Sequence, residues 1–249
     1  MEVLNCIMEI GEQMLVSGAE VHRVEESIKR MSLALGAKRV DVFIITSSMV
    51  VTVHTDDTNT LTQTRRITTI NTDFEKLHKL NKLSRDICEK HFTEEEIRER
   101  LNEIVNSKKY SIIVELLFYS ITTCVFTVFF GGNIKEAILS FIVGFLVRFC
   151  IFQCEKIISN KIFVKFLSMV IVTALALFAT KTGLVLKADT IIIGNVMTLI
   201  PGIGLTNALR DLFVGDSIAG ILRLIEALLT AIAIAAGYFC VAVLIGGVL

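Results

Sequence analysis

The stretch Ile193-Gly-Asn-Val-Met-Thr-Leu-Ile-Pro-Gly-Ile-Gly-Leu-Thr-Asn-Ala-Leu-Arg-Asp-Leu-Phe-Val-Gly-Asp216 decides how the chain is read. It begins as an apolar run and holds the chain's only proline, Pro201, followed at once by Gly202 and Gly204. Proline removes a backbone donor and clashes with the preceding turn, and the glycines are expected to free the backbone to bend. An open backbone at membrane depth is tolerated only where protein or a wet cavity satisfies it. Transporters bind polar solutes at such broken helices, with the second half-helix directed at an anionic group. Asn195 lies on the first half, and Thr206 and Asn207 would offer a hydroxyl and an amide after the break. Arg210 follows about a turn later and is the candidate for a solute carboxylate. A kinked span followed by an ordinary loop is the competing reading.

Around this stretch the chain divides sharply. Of 249 residues 53% are apolar, with mean hydropathy +0.67 and zero formal net charge. Residues 1–110 nevertheless hold 34 of the 50 charges, while 13 of the 16 phenylalanines fall at or after Phe118. The reading is therefore an α+β domain over 1–110 followed by a transmembrane helical domain over 111–249. Neither half has the basic excess of a nucleic-acid binder. The scattered cysteines form no C-x-x-C, so neither a disulfide framework nor a zinc ribbon is indicated. The N-terminus shows no basic region or cleavage site, so the later apolar segments are expected to direct insertion.

In the charge-rich half, a helix is expected over Leu4–Leu15. A second carries Val24, Ile28, Met31 and Leu35 on one stripe, with Gly36 as its C-cap. Val40–Thr46 and Met49–His54 read as strands joined through Ser47-Ser48, and Leu61–Thr68 as a polar edge strand. Asp56-Asp57-Thr58-Asn59 reads as a turn. Phe74, Leu77, Leu80, Leu83 and Ile87 mark a third helix, and the pair Thr93 and Glu96 a capping box for a fourth. The apolar half offers Ile112–Phe130, Ala137–Phe152, Ile162–Thr180, Leu184–Leu205 and Ala227–Leu249, each near the length a bilayer requires. Five spans are expected, the fourth broken at Pro201; four with one re-entrant segment is the alternative. Arg148, a turn from the end of its segment, is expected to snorkel.

Lys108, Lys109, Lys156, Lys161, Lys165, Arg210 and Arg223 fall on one side, against Lys135, Lys181 and Lys187, which places the N-terminal domain in the cytoplasm. Asp211, Asp216, Arg223 and Glu226 flank or enter the last span and are candidates for ion pairing or proton coupling. In the N-terminal half, Glu20, Arg23 and Glu25 crowd one helix, and Arg65 and Arg66 could meet an anion. These five are the candidates for a cytoplasmic gate; a solvated face is the plainer reading of each. His22 and Glu26 stand at i, i+4, but two ligands do not make a metal site. No P-loop, serine elbow or dinucleotide motif occurs, so no metal or cofactor is expected. A membrane-tethered hydrolase would have to draw on His22, Glu25 and His54, and a sensor would use the membrane half as an anchor only.

Several blocks taken together resemble one family. They are Ser17-Gly-Ala-Glu-Val-His-Arg-Val-Glu-Glu-Ser-Ile28, Val40-Asp-Val-Phe43, Arg65-Arg66 and Asn81-Lys-Leu-Ser-Arg-Asp-Ile87. To these add Pro201-Gly-Ile-Gly-Leu-Thr-Asn-Ala-Leu-Arg-Asp-Leu212, Gly215-Asp216 and Gly220-Ile-Leu-Arg-Leu-Ile-Glu-Ala-Leu-Leu229. In order over nearly the whole chain, they resemble the N-terminal module of the threonine/serine exporter family. Relatives usually carry Pro-Thr where this chain has Ser47-Ser48, which bears on the local loop shape. The resemblance implies a bacterial inner-membrane exporter of a small polar solute, threonine or serine, or succinate in split two-gene versions. It implies ion-gradient drive and no cofactor. Because the sequence stops at Leu249, it looks like the split form, with a separate small multi-span subunit as partner besides lipid and solute. No nucleic-acid partner is implied, and a homo-oligomer is left open.

Overall fold

The computed structural model describes residues 2–55, 59–90, 92–107 and 110–246. The turn read at Asp56–Thr58 and the flanking pair Lys108 and Lys109 lie outside them. The described elements are α1 (Glu2–Val16), α2 (Val21–Ala34), β1 (Arg39–Ile45), β2 (Ser48–His54), β3 (Thr60–Arg66), α3 (Phe74–Glu89) and α4 (Glu94–Val105). They continue with α5 (Ile112–Phe129), α6 (Ile134–Cys154), α7 (Lys161–Lys181), α8 (Ala188–Leu199), α9 (Gly202–Val214) and α10 (Ser217–Gly246). Two compact units result: Met1–Lys108 with Thr206–Leu224, and Lys109–Leu205 with Ile225–Leu249. The first thus takes in a segment, 206–224, that the sequence reading assigns to the membrane half.

In the first unit α1 and α2 pack closely, because Gly11 offers no side chain: a Cβ there would stand 2.6 Å from Ile28 Cδ1. Met8, Ile10, Met14, Val24, Ile28 and Met31 meet Val40, Ile44, Met49 and Val51 of the sheet and Leu80, Leu83, Ile97 and Leu101 of α3 and α4 in one core. The sheet is an antiparallel meander in the order β1-β2-β3. Pairing of Ile45 with Ser48 places its first turn at Thr46-Ser47, one residue earlier than the sequence suggested. No described non-glycine residue has positive φ, so the turn is not of the primed kind that tight hairpins favour. The capping box forms as expected, with Thr93 accepting from the Glu96 amide and Glu96 returning to the Thr93 N–H. Gly18 closes α1: at φ 94° it permits Ala19 N–H to reach Met14 O at 3.0 Å, a Schellman end. Its missing Cβ also admits Asn71 O, which such an atom would approach to 2.9 Å.

In the second unit α5, α6 and α7 are each long and apolar enough to cross a membrane, as is α10; the α8–α9 pair, bent by 52°, makes a fifth span if counted as one. The bend is made by Ile200, extended at ψ 132° as a residue before proline must be, and by Pro201. Gly202 and Gly204 do not bend the chain. Both lie in the first turn of α9, neither has positive φ, and a Cβ would be accommodated at each. Helix α6 starts three residues before its expected bound because Asn133 and Glu136 form a capping box the apolar pattern did not reveal. Arg148 finds a partner rather than only snorkelling: it donates to Glu115 at 2.6 Å.

Candidate functional site

The first unit gathers many of the charges singled out above around one turn. The α1–α2 connection, Ser17 to Glu20, presents two backbone carbonyls and the bare N-terminus of α2. Asn207 Nδ2 donates to Gly18 O at 3.3 Å, and Arg223 donates to Ala19 O at 3.0 Å. Glu20 occupies the N-cap of α2 without capping it and instead accepts from Arg210 at 2.7 Å. The Asp211 carboxylate lies within electrostatic reach of the Val21 amide. Asp211 in turn stands 3.2 Å from Arg223, their side chains only 1% and 8% exposed. A buried ion pair, in which Asp211 Oδ2 faces the guanidinium without a hydrogen bond, therefore holds α9 and the start of α10 near a helix N-terminus, where a carboxylate is favoured by the dipole. Gly220 allows this approach, since a Cβ would lie 3.0 Å from Ala208 O and 2.9 Å from Leu212 N.

The remaining candidates fall around or away from this node. Asp216 caps the turn before α10, its carbonyl receiving Gly220 N–H, while its Oδ2 is buried without a hydrogen bond. Glu25 accepts from Ile44 N–H at 2.9 Å. Burial pushes the Glu25 carboxyl above the usual carboxylate range; the Ile44 bond opposes this, the Asp216 charge adds to it, and His22 opposes it. Arg23 is exposed on α2, and Thr206 and Glu226 are exposed on α9 and α10. Arg65 points inward from β3 to Glu12 at 3.2 Å, whereas Arg66 faces outward. The three residues a hydrolase would need do not gather: His54 stands beside Thr60 and Asp41 on the outer sheet face, and His22 is exposed. Among the described residues no group of three or more His, Cys, Asp or Glu is arranged to hold a metal.

The second unit shows what the sequence reading largely missed. On α5, Glu115, Tyr119, Thr123 and Thr127 recur every fourth residue; on α6, Glu136, Ser140, Gly144 and Arg148 do the same. That spacing puts each set on one helix face. The two faces meet: Glu115 pairs with Arg148 at one end, and Thr127 donates to Ser140 at 2.7 Å towards the other. Helix α8 completes the stripe. Thr190 donates to Glu136 at 3.0 Å, Asn195 to Ser140 at 3.0 Å, and Thr198 is bonded to Tyr119 at 2.7 Å. Glu136, 1% exposed, also receives the amides of Asn133 and Lys187, so one carboxylate serves the N-termini of both α6 and α8. The four-residue period of hydroxyls and acids inside apolar segments was the available signal; of these residues the sequence reading singles out only Asn195, as a solute contact, and Arg148, as a snorkelling charge.

Apolar helices that turn a polar stripe towards one another pack as the helices of a membrane bundle do, since such groups are costly in hydrocarbon. The stripe and the four to five apolar spans define the class as a multi-span membrane protein. The comparison with family models is more specific: the family described as "Putative threonine/serine exporter" (ThrE) matches residues 5–245. The chain belongs to that family, which is one of transporters and not of enzymes. Searches of curated proteins and of solved structures return no match.

Proposed function

We propose that this chain is the larger subunit of a secondary exporter carrying threonine or serine outward across the bacterial plasma membrane, with residues 1–110 in the cytoplasm. The observation that carries the reading, beyond family membership, is the polar stripe running between α5, α6 and α8 from the Glu115–Arg148 pair to Glu136. The cationic bias on one flank supports the orientation. Arg210 supports a carboxylate-bearing solute: it is 61% exposed and already holds a carboxylate, that of Glu20. In this reading Glu20 yields Arg210 to the solute, Thr206 and Asn207 add neutral contacts, and the break at Pro201 lets α8 and α9 move separately. Glu25, whose burial raises its carboxyl above the usual range, is the acid placed to respond to protons.

A dicarboxylate such as succinate would satisfy the same arginine, and a small multi-span partner completes the exporter in the split form. Cells expressing the chain with and without that partner, loaded with labelled threonine, serine or succinate, decide among these. Faster loss of threonine and serine supports the proposal. Loss of succinate alone moves the solute class, and no acceleration of any of the three refutes the exporter.

A further inference from the structure

The centre of the stripe has one open hydrogen-bonding position. Asn195 is fully buried, and its Nδ2 donates to Ser140 Oγ at 3.0 Å and to Ile191 O at 2.9 Å. A backbone carbonyl can only accept, so the Ile191 contact fixes which way the amide faces. That leaves Oδ1 inward with no partner. The surrounding groups are already committed. Ser140 Oγ donates to Thr123 O at 3.2 Å and receives Thr127 Oγ1 at 2.7 Å; Thr123 Oγ1 lies 2.9 Å from Ser120 O and 3.1 Å from Ser140 O. An unpaired acceptor in this setting is costly, and native proteins carry few of them.

We infer that Asn195 Oδ1 is the acceptor that reads the side-chain hydroxyl of the exported amino acid; this rests on the exporter reading above. The donor is a neutral hydroxyl and not an ammonium because Asn195 Oδ1, Ser140 and Thr127 are uncharged. Glu136, the carboxylate further along the stripe, is taken up by Asn133, Lys187 and Thr190. A desolvated cation would find no counter-charge at Asn195. The position is closed in this structure: α8 lies so near α5 that a Cβ on Gly194 would stand 2.2 Å from Thr127 Oγ1 and 2.9 Å from Thr127 N. A solute therefore reaches Asn195 only when α8 draws away from α5, and α8 is the short half-helix that ends at Pro201. Sites built to bond a hydroxyl reject the isostere lacking it far more strongly than apolar pockets tell methyl groups apart.

The test uses membrane vesicles carrying the full chain with its partner subunit. Unlabelled threonine and its isostere valine compete against labelled threonine, and the ratio of their half-inhibiting concentrations is read. The unaltered protein should favour threonine at least tenfold. Asn195→Ala should bring the ratio close to one with valine competition unchanged, and so should Asn195→Leu, which fills the same space without an acceptor. An unchanged ratio in Asn195→Ala overturns the inference, as does a parallel loss of both competitors in Asn195→Ala. Should Asn195→Ala fail to accumulate, the ratio in Asn195→Leu decides: close to one, it supports the inference; unchanged, it overturns it. Absence of threonine transport by the unaltered protein overturns the exporter reading itself, and this inference with it.

Discussion

Replacing Arg223 by Met removes one half of the buried ion pair of the first unit and leaves its apolar core untouched. The guanidinium is nearly enclosed, and its loss leaves the Asp211 carboxylate, 1% exposed, with Asp216 and Glu20 as acidic neighbours. Removing one partner of a buried ion pair costs about 3–5 kcal/mol. Loss of the bond to Ala19 O adds about 1 kcal/mol. Against a total stability of roughly 5–15 kcal/mol, that is a large share. At about 2–4 °C per kcal/mol, the midpoint of thermal unfolding should fall by roughly 8–24 °C. Because two well-packed apolar side chains can replace such a pair at little cost, Arg223→Met with Asp211→Leu should recover most of the loss. Circular dichroism melts of the full chain in detergent, for the two single variants and the double, give the cycle. A single variant within a degree or two of the unaltered protein, or a double variant as unstable as the sum of the singles, would refute the buried-pair argument.

Other outcomes are equally definite. The folded chain holds the Glu25 proton more tightly than the unfolded chain, whose ordinary value is near 4.5. The stability this contributes is present below that value and lost as pH rises through the folded one. Glu25→Gln, which keeps an acceptor for Ile44, should flatten the decline in melting midpoint between pH 5 and pH 8. Gly144→Ala would bring a Cβ to 2.3 Å from Thr123 Oγ1 and should destabilise by about 1–3 kcal/mol; adding Thr123→Ala should restore much of it. Glu136→Ala strips acceptors from Asn133, Lys187 and Thr190, and should lower the melting midpoint more than Glu226→Ala, which removes an exposed side chain. Glu20→Arg with Arg210→Glu should transport better than either single variant, by rebuilding the pair with reversed charge; transport no better than that of the worse single variant would count against a role for that contact.

The elements were legible wherever apolar periodicity or a cap marked them, as in α2, α3, α4 and the long spans. What the sequence does not display is partnership across distance. Arg210, Asp211 and Arg223 read as charges near a membrane span, the first a candidate for solute contact and the other two for ion pairing or proton coupling. The structure joins Arg210 to Glu20 and Arg223 to Asp211 and Ala19, some 190 residues away at the Arg210–Glu20 contact. No local pattern announces that charges late in the chain will find their partners at a helix start near its beginning. The hydroxyl stripe is a different case. Its residues are weakly polar one by one, and in a hydropathy reading Thr123, Thr127 and Ser140 disappear into their spans. Counting by fours along α5 and α6 would have found them.

Efflux of labelled threonine from vesicles is the most direct measurement, comparing the unaltered chain plus partner with Asn207→Ala and Arg210→Ala. The expected result is carrier-dependent efflux that saturates with threonine and falls at least tenfold in Arg210→Ala, less in Asn207→Ala. Efflux no faster than from vesicles lacking the chain would contradict the transport reading, and undiminished efflux in both variants would contradict the site.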